Sequence, residues 1–171
     1  AKIKNYNQLR LSIIQATPTP NQLIATAVNL TQHRSLECYP ASNNLIEYLL
    51  TAGHTSVFEH CSVTILIENV SRSFLAQITR HRMASYTVSS QHYQDYSEYP
   101  DVVHSAVATN PLMVSILDSI NDTYKQLITN GVPKEEARQV LPNSKAVNIL
   151  WTINARSPIK FLILRMCYRA S

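Results

Sequence analysis

The chain has 171 residues, 45% of them hydrophobic and 15% charged, which excludes a disordered tail and leaves room for one ordinary core. Its formal net charge of +4 mildly favours an anionic ligand. The two glycines, Gly53 and Gly131, are too few for a glycine-rich dinucleotide fingerprint or a Walker-type loop, so any phosphate must be held by side chains or helix ends.

We predict one domain spanning residues 1–171, because no repeat, charge run or long linker interrupts the chain. Hydrophobic periodicity and turn residues predict the following elements in chain order: a strand over 9–15, helices over 20–31 and 43–52, a strand over 61–70, a helix over 72–82, a surface loop over 83–101, a long helix from 111 to 130, a short helix over 133–142, a strand over 147–153 and a last helix from 157.

Polar residues before three of the helices predict where each begins. We predict Thr19, Ser42 and Ser71 to be N-caps.

On the long helix we expect Ile116 in an inward apolar stripe, and on the last helix we expect Ile159, Leu162, Ile163 and Met166 to face inward. Strands and helices mix without a strand–helix–strand repeat, so the predicted class is α+β with a small, mostly antiparallel sheet.

The three cysteines, Cys38, Cys61 and Cys167, are odd in number and widely spaced. No zinc-binding pattern includes them, so we expect no metal site, and we interpret them as reduced, mostly buried thiols of a cytoplasmic protein. None has a histidine placed so as to suggest its activation, which argues against a thiol nucleophile. No apolar run approaches the length of about 20 residues of a membrane span, and the first ten residues show no signal core.

The densest polar cluster begins at Gln77 and continues through Arg80-His81-Arg82. Gln77 and Arg80 are three residues apart and would share a helix face. Two arginines beside a histidine could hold two anions, or could form a solvated basic helix end. Residues 54–60 could be a functional polar cluster or a simple turn, and Arg165 could be buried with a partner or lie at the surface.

Four blocks, in order, resemble the flavin-dependent thymidylate synthases. The strongest is Arg80-His81-Arg82 followed, after seven residues, by Ser90. The others are residues 53–60, residues 137–142 and residues 151–165, which look like the family's Gly-His-x-Ser-x-Phe-Glu-His turn, its Ala-Arg-x-Val-Leu-Pro block and its last strand and helix. The resemblance as a whole extends over nearly the entire chain.

The resemblance implies reductive methylation of dUMP to dTMP, with methylenetetrahydrofolate as carbon donor, NADPH as reductant and FAD as cofactor. It implies a homotetramer with sites at subunit interfaces, binding a nucleotide and a folate, and acting without an enzyme thiol. Neither nucleic acid nor a membrane is expected as a partner.

The resemblance also implies roles for individual residues. The nucleotide-binding positions are Gln77, Arg80, Ser90, His92, Arg138 and Arg165. Among these, Ser90 and Arg165 are the predicted catalytic residues, with Ser90 near the reacting carbon of uracil and Arg138 and Arg165 facing the pyrimidine. The flavin-contacting positions are Ser56, Glu59, Arg80, His81, Arg82, Met83, Asn154 and Arg156.

Three positions depart from the family pattern. His92 stands where arginine is common, Val88 where an acidic or amide residue is frequent, and Lys160 where asparagine or histidine is usual. Two other functions therefore stay open. One is a related flavin- and folate-dependent pyrimidine nucleotide hydroxymethylase. The other is a non-catalytic basic module that binds nucleotides or RNA, with loop tyrosines stacking on bases, although those tyrosines lie outside the predicted strands.

Overall fold

A computed structural model describes residues 2–5, 8–32 and 41–166. Its strands are β1 (Ile3–Asn5), β2 (Arg10–Ala16), β3 (Ser62–Ser71), β4 (Ala84–Val88), β5 (Asp101–Val103) and β6 (Ala146–Asn154). Its helices are α1 (Pro20–Thr31), α2 (Asn43–Thr51), α3 (Arg72–Ile78), α4 (Ser105–Ala108), α5 (Pro111–Thr129), α6 (Lys134–Ala137) and α7 (Arg156–Arg165), with 3-10 turns at Thr55–His60 and Arg138–Val140.

The strands form two sheets. Four of them lie in the order β2-β3-β6-β4, and β1 pairs in parallel with β5, with Ile3 opposite Asp101. Mixed helices and a small antiparallel sheet confirm the predicted α+β class. Among the helices of the described residues, none is both long enough and apolar enough to cross a bilayer.

The chain divides into two compact units, each discontinuous in sequence. The first unit comprises residues 1–12, 66–80 and 86–150. Its longest helix, α5, begins where the Asn110 side chain accepts a hydrogen bond from the Leu112 amide at 2.9 Å, and it buries Leu117 and Tyr124. The Tyr124 hydroxyl accepts from the Tyr96 amide at 3.2 Å, and the Tyr96 hydroxyl donates to the Ser89 carbonyl at 3.1 Å. These bonds fix the chain next to Ser90.

The second unit comprises residues 13–65, 81–85 and 151–171. Its buried core is aliphatic, with one aromatic ring and one thiol: Ile24, Ala25, Val28, Ala41, Leu49, Val57, Phe58 and Cys61. The 3-10 turn at Thr55–His60 packs on α1 and on α7. Burial of Val57 and Phe58 in this core leaves Glu59 and His60 at the surface, which is how the turn presents its polar residues.

Several predicted elements are confirmed, including α1, α2 with its Ser42 cap, β3, α5 and β6. The Ser71 cap is also confirmed, because its hydroxyl oxygen accepts from the Phe74 amide at 3.1 Å. The prediction for Thr19 is wrong. Its backbone is left-handed, with φ of 45°, and its side chain makes no capping bond; its carbonyl accepts from the Gln22 and Leu23 amides instead.

Two predictions around the Arg-His-Arg motif are wrong. Helix α3 ends at Ile78 rather than residue 82, and the predicted loop 83–101 contains strand β4. Pairing in the four-stranded sheet gives this polar segment its extended conformation, which local polarity could not reveal. Tyr86, one of the tyrosines considered above for stacking on bases, therefore lies on strand β4, which removes one objection to the RNA-binding alternative.

The predicted inward faces of two helices are partly wrong. Leu162 and Ile163 of α7 are 47% and 72% exposed and Met166, just beyond its end, is 77% exposed, while Ile159 is half-buried. On α5, Ile116 is 54% exposed. Apolar spacing alone does not say which part of a wide apolar surface finds a neighbour. The last helix also begins at Arg156, one residue earlier than predicted.

Candidate active site

The second unit contains a cavity of about 430 Å³, a volume typical of small-molecule sites. It is lined by side chains from the 3-10 turn, the segment before β4, the end of β6 and the start of α7. These residues are Thr55, Glu59, His81, Met83, Asn154, Arg156, Ser157, Ile159, Lys160 and Ile163. The lining combines hydrogen-bonding groups and charges with an apolar part.

The junction between β6 and α7 positions the cationic part of this lining. The Asn154 side-chain oxygen accepts from the Ser157 amide at 2.9 Å and so stabilises the first turn of α7. The Ala155 amide donates to the Cys61 carbonyl at 2.8 Å, which fastens the junction to the end of the 3-10 turn. These two bonds place Arg156 beside Glu59.

Glu59 and Arg156 form an ion pair in which the Arg156 Nη1 donates to the Glu59 Oε1. Both side chains are half-exposed, so the pair orients the guanidinium more than it stabilises the fold. A guanidinium has five N–H groups, so Arg156 keeps donors for a ligand. Lys160 adds a second, exposed cation to the same lining. The lysine, arginine and glutamate together leave the cavity with a net positive charge, which favours an anion.

The structure brings together five of the eight predicted flavin-contacting residues: Glu59, His81, Met83, Asn154 and Arg156 all line this cavity. Ser56 and Arg82 are exposed residues of the same unit outside the described lining, and Arg80 belongs to the first unit. Sequence reasoning missed Thr55, Ser157, Ile159 and Ile163. Ser157 and Ile159 could have been predicted from the sequence. They lie in the first turn of the helix that follows Asn154, and that turn must lie next to the predicted flavin-contacting residues Asn154 and Arg156.

A second polar cluster lies in the first unit and includes three predicted nucleotide-binding residues. The Ser90 hydroxyl oxygen accepts from the His92 amide at 3.1 Å. The His92 Nδ1 lies 3.1 Å from the Glu135 Oε2, and the Arg138 Nε donates to the Glu135 carbonyl at 3.0 Å. Glu135 thus connects His92 with Arg138. Sequence reasoning missed Glu135, although its position three residues before Arg138 was a usable signal.

Gln91, between Ser90 and His92, is 7% exposed, and its buried Nε2 has no hydrogen-bond partner. A buried amide nitrogen without an acceptor costs free energy that a bound ligand or a small rearrangement could recover. Nothing in the sequence distinguished Gln91 from the other polar residues of this segment.

The other predicted nucleotide-binding residues lie at helix ends. Gln77 is in the last turn of α3, and its carbonyl accepts from the Arg80 amide at 3.4 Å, so these two residues are neighbours although Arg80 lies beyond the helix. Arg165 is the last residue of α7, in the second unit, and is half-buried.

Cys61 has the burial predicted for the cysteines. Cys61 is a buried, free thiol, and burial raises the pKa of that thiol, which keeps it protonated and poorly nucleophilic. Cys38 and Cys167 lie outside the described residues.

Comparison with known proteins identifies the class of this α+β chain. A family model described as "Thymidylate synthase complementing protein" matches residues 12–171. Flavin-dependent thymidylate synthase of Geobacter sulfurreducens is 34% identical over 175 residues, which cover 95% of this chain and 75% of that protein. The enzyme of the same name from Halobacterium salinarum is 32% identical over 199 residues, covering 87% of this chain and 79% of that protein.

A solved structure supports the fold. The crystal structure of the UMP/dUMP methylase PolB from Streptomyces cacaoi, bound with 5-Br dUMP, matches with a TM-score of 0.79 and 22% identity, over 96% of this chain and 80% of that one. The class is that of methyltransferase-like enzymes. Within it, the chain belongs to the flavin-dependent thymidylate synthase family, as its motifs predicted.

Proposed function

We propose that this protein reductively methylates dUMP to dTMP, with FAD as cofactor, methylenetetrahydrofolate as carbon donor and NADPH as reductant. The observation that carries the proposal is the cavity of the second unit, where five predicted flavin-contacting side chains converge. Membership of the family also supports the proposal.

The lining of this cavity fits a flavin chemically. An isoalloxazine ring has an apolar edge and a hydrogen-bonding edge, and the cavity offers Met83, Ile159 and Ile163 for the first and Asn154 for the second. Arg156 and Lys160 are the cations available for phosphate or for anionic character on the ring. When bound, reduced flavin supplies the hydride of the reaction.

The first-unit cluster supports nucleotide binding. Because the Ser90 oxygen accepts from the His92 amide, the Ser90 hydroxyl proton is directed elsewhere and is free to donate to a ligand. His92 in its charged form and Arg138 would hold the nucleotide phosphate and the pyrimidine carbonyl, respectively. We also assign Gln77 and Arg80 to nucleotide binding, and we assign to Arg165 the polarisation of the uracil.

We further propose a single functional domain that assembles as a homotetramer in the cytoplasm. The tetramer would complete the binding sites at subunit interfaces. Light scattering at micromolar concentration should give four chains per particle. A monomer that still binds FAD tightly would contradict this part of the proposal.

The direct test of the proposal combines a spectrum with a product assay. The purified protein should show flavin absorption, as isolated or after addition of FAD. With dUMP, methylenetetrahydrofolate and NADPH, mass spectrometry should then find dTMP. Omission of each component in turn is the control. A flavin-free protein that cannot be reconstituted would contradict the enzyme assignment.

The departures at His92, Val88 and Lys160 leave one alternative product open. Since these residues differ from the family pattern, the same assay must search for a hydroxymethylated pyrimidine nucleotide. Tyr86 on β4 is the observation that favours a non-catalytic RNA-binding module. Such a module would bind an RNA oligonucleotide without any flavin spectrum.

A further inference from the structure

Three rings in the second unit form a contact series that ends at the cavity. Trp151 of β6 lies 5.5 Å from Phe161 of α7, measured between ring centroids, with an interplanar angle of 56°. Phe161 lies 5.5 Å from the imidazole of His81 at 76°, an edge-to-face arrangement. His81 lines the cavity, whereas Trp151 and Phe161 are absent from its described lining. The series therefore leads from a buried strand to a cavity side chain.

Phe161 differs from the residues that follow it. Leu162, Ile163 and Leu164 are 47%, 72% and 65% exposed, while Phe161 is half-buried. Its inner neighbour Trp151 is only 8% exposed and belongs to a strand whose alternate residues are buried. Phe161 thus contacts both a buried ring, Trp151, and the imidazole of His81.

His81 lies between two regular elements, so neither a helix nor a strand fixes the orientation of its side chain. Helix α3 has ended at Ile78 and strand β4 starts only at Ala84, so His81 is in neither element. A side chain in such a segment takes its orientation from its tertiary contacts. We propose that Phe161 is a positioning residue that holds the His81 imidazole in the orientation needed to bind a flavin ring. The choice of a flavin as the ligand rests on the proposed function, whereas the contact between Phe161 and His81 is independent of it.

An aromatic residue at position 161 can orient the His81 imidazole because the energy of an edge-to-face contact depends on the angle between the two rings. An aromatic ring attracts the positive edge of a neighbouring ring to its face, whereas an aliphatic side chain of similar size gives only dispersion. Leucine at position 161 would fill much of the space but would let the imidazole rotate. Tyrosine would keep the ring. The contact should therefore tolerate Phe161→Tyr and not Phe161→Leu.

The first experiment needs no ligand. NMR spectra of protein labelled at histidine should show the His81 ring protons shifted by the ring current of Phe161. Phe161→Leu should move these signals towards the values of a free imidazole, while Phe161→Tyr should leave them shifted. Leu164→Ala removes an exposed side chain of the same helix outside the described cavity lining, and is the matched control. Unchanged His81 signals in Phe161→Leu would overturn the proposal.

The second experiment measures flavin binding. Trp151 is the single tryptophan of the chain, so its fluorescence and the flavin spectrum together report FAD titrations. Phe161→Leu should weaken FAD binding about threefold to tenfold, as expected for loss of an oriented aromatic contact. Phe161→Tyr and Leu164→Ala should bind within about twofold of wild type.

A double-mutant cycle separates positioning from general damage. If Phe161 acts through His81, Phe161→Leu should weaken binding little further in a His81→Gln background. Full additivity of the two losses would refute the proposal. Phe161→Met replaces Phe161→Leu if circular dichroism shows that the latter does not fold. If wild type binds no flavin at all, the proposed function fails, and the NMR comparison still decides whether Phe161 contacts His81 in solution.

Discussion

The imidazole Nδ1 of His92 lies 3.1 Å from the carboxylate of Glu135, whose own carbonyl accepts a hydrogen bond from Arg138. One glutamate therefore contacts two residues proposed to bind the nucleotide. The His92 Nδ1 is buried and, despite this short distance, has no hydrogen-bond partner among the described residues. The ring can therefore offer a phosphate one N–H, from its other nitrogen.

His92→Arg should therefore strengthen dUMP binding at pH 8. Arginine is charged at every pH of the assay, and its planar guanidinium can donate two parallel hydrogen bonds to one phosphate, which an imidazole cannot. We expect a gain in dUMP affinity of about threefold to tenfold. Isothermal titration calorimetry at pH 8 measures the difference.

Deoxyuridine, which lacks the phosphate, is the control ligand for this comparison. Its affinity should be the same in both proteins. A His92→Arg variant that binds dUMP no better at pH 8 would show that position 92 does not hold the phosphate.

Arg156→Ala should weaken FAD binding while leaving the fold nearly intact. Its ion pair with Glu59 is half-exposed and contributes at most about 1 kcal/mol to stability. Loss of a charge-assisted bond to the cofactor should cost about 1.5–3 kcal/mol of binding, or roughly tenfold to a hundredfold in affinity. Arg10→Ala removes an exposed arginine of β2 and serves as the control for net charge. The hypothesis fails if both variants bind FAD equally well.

Lys145→Met should destabilise the protein strongly. The Lys145 Nζ lies 3.4 Å from the Asp101 Oδ2, both side chains are fully buried, and the ammonium also donates to the Asn121 Oδ1 at 2.5 Å. Burial lowers the pKa of Lys145, and Asp101 opposes that shift. Removal of the lysine alone leaves a buried carboxylate without its partner, at a cost of about 3–5 kcal/mol.

The matched comparison for Lys145 is the double variant Asp101→Asn, Lys145→Met. Asparagine carries no charge to leave uncompensated, so the double variant should be more stable than Lys145→Met alone. Urea unfolding of the wild type, both single variants and the double variant gives the coupling free energy. If the double variant lost as much free energy of unfolding as the two single variants together, the pair would not be coupled.

Glu98 should contribute acid-sensitive stability. Hydrogen bonds from Lys2 and Lys125, at 2.7 and 3.1 Å, lower the pKa of this carboxyl to about 2 from its ordinary value of 4.5. Because the folded-state pKa is the lower one, the stabilisation is present above pH 4.5 and disappears as the pH falls towards 2. The stability difference between wild type and Glu98→Gln should therefore shrink between these values.

Salt is the control for the Glu98 prediction, because the three side chains are exposed and their attraction is screened. Urea unfolding in 1 M salt should show a smaller difference at every pH. A difference that persists down to pH 2 would exclude the lysine contacts as its cause.

Sequence alone predicted the elements whose signals are local. Ser42, Ser71 and Asn110 cap helices with their own side chains, and the alternation in β6 buries Val147, Ile149 and Ile153. Such signals depend on residues a few positions apart, so no knowledge of distant partners is needed. The Arg-His-Arg motif with Ser90 likewise indicated the family before any fold was known.

Tertiary structure decided what depends on distant partners. Residues 84–88 became a strand because a neighbouring strand pairs with them, and the exposed side of α7 followed from which of its residues meets Trp151. The Glu59–Arg156 pair joins residues 97 positions apart, and no periodicity signals such a contact. Local preferences fix short-range conformation, whereas pairing, burial and charge contacts between remote segments are determined only when the chain packs.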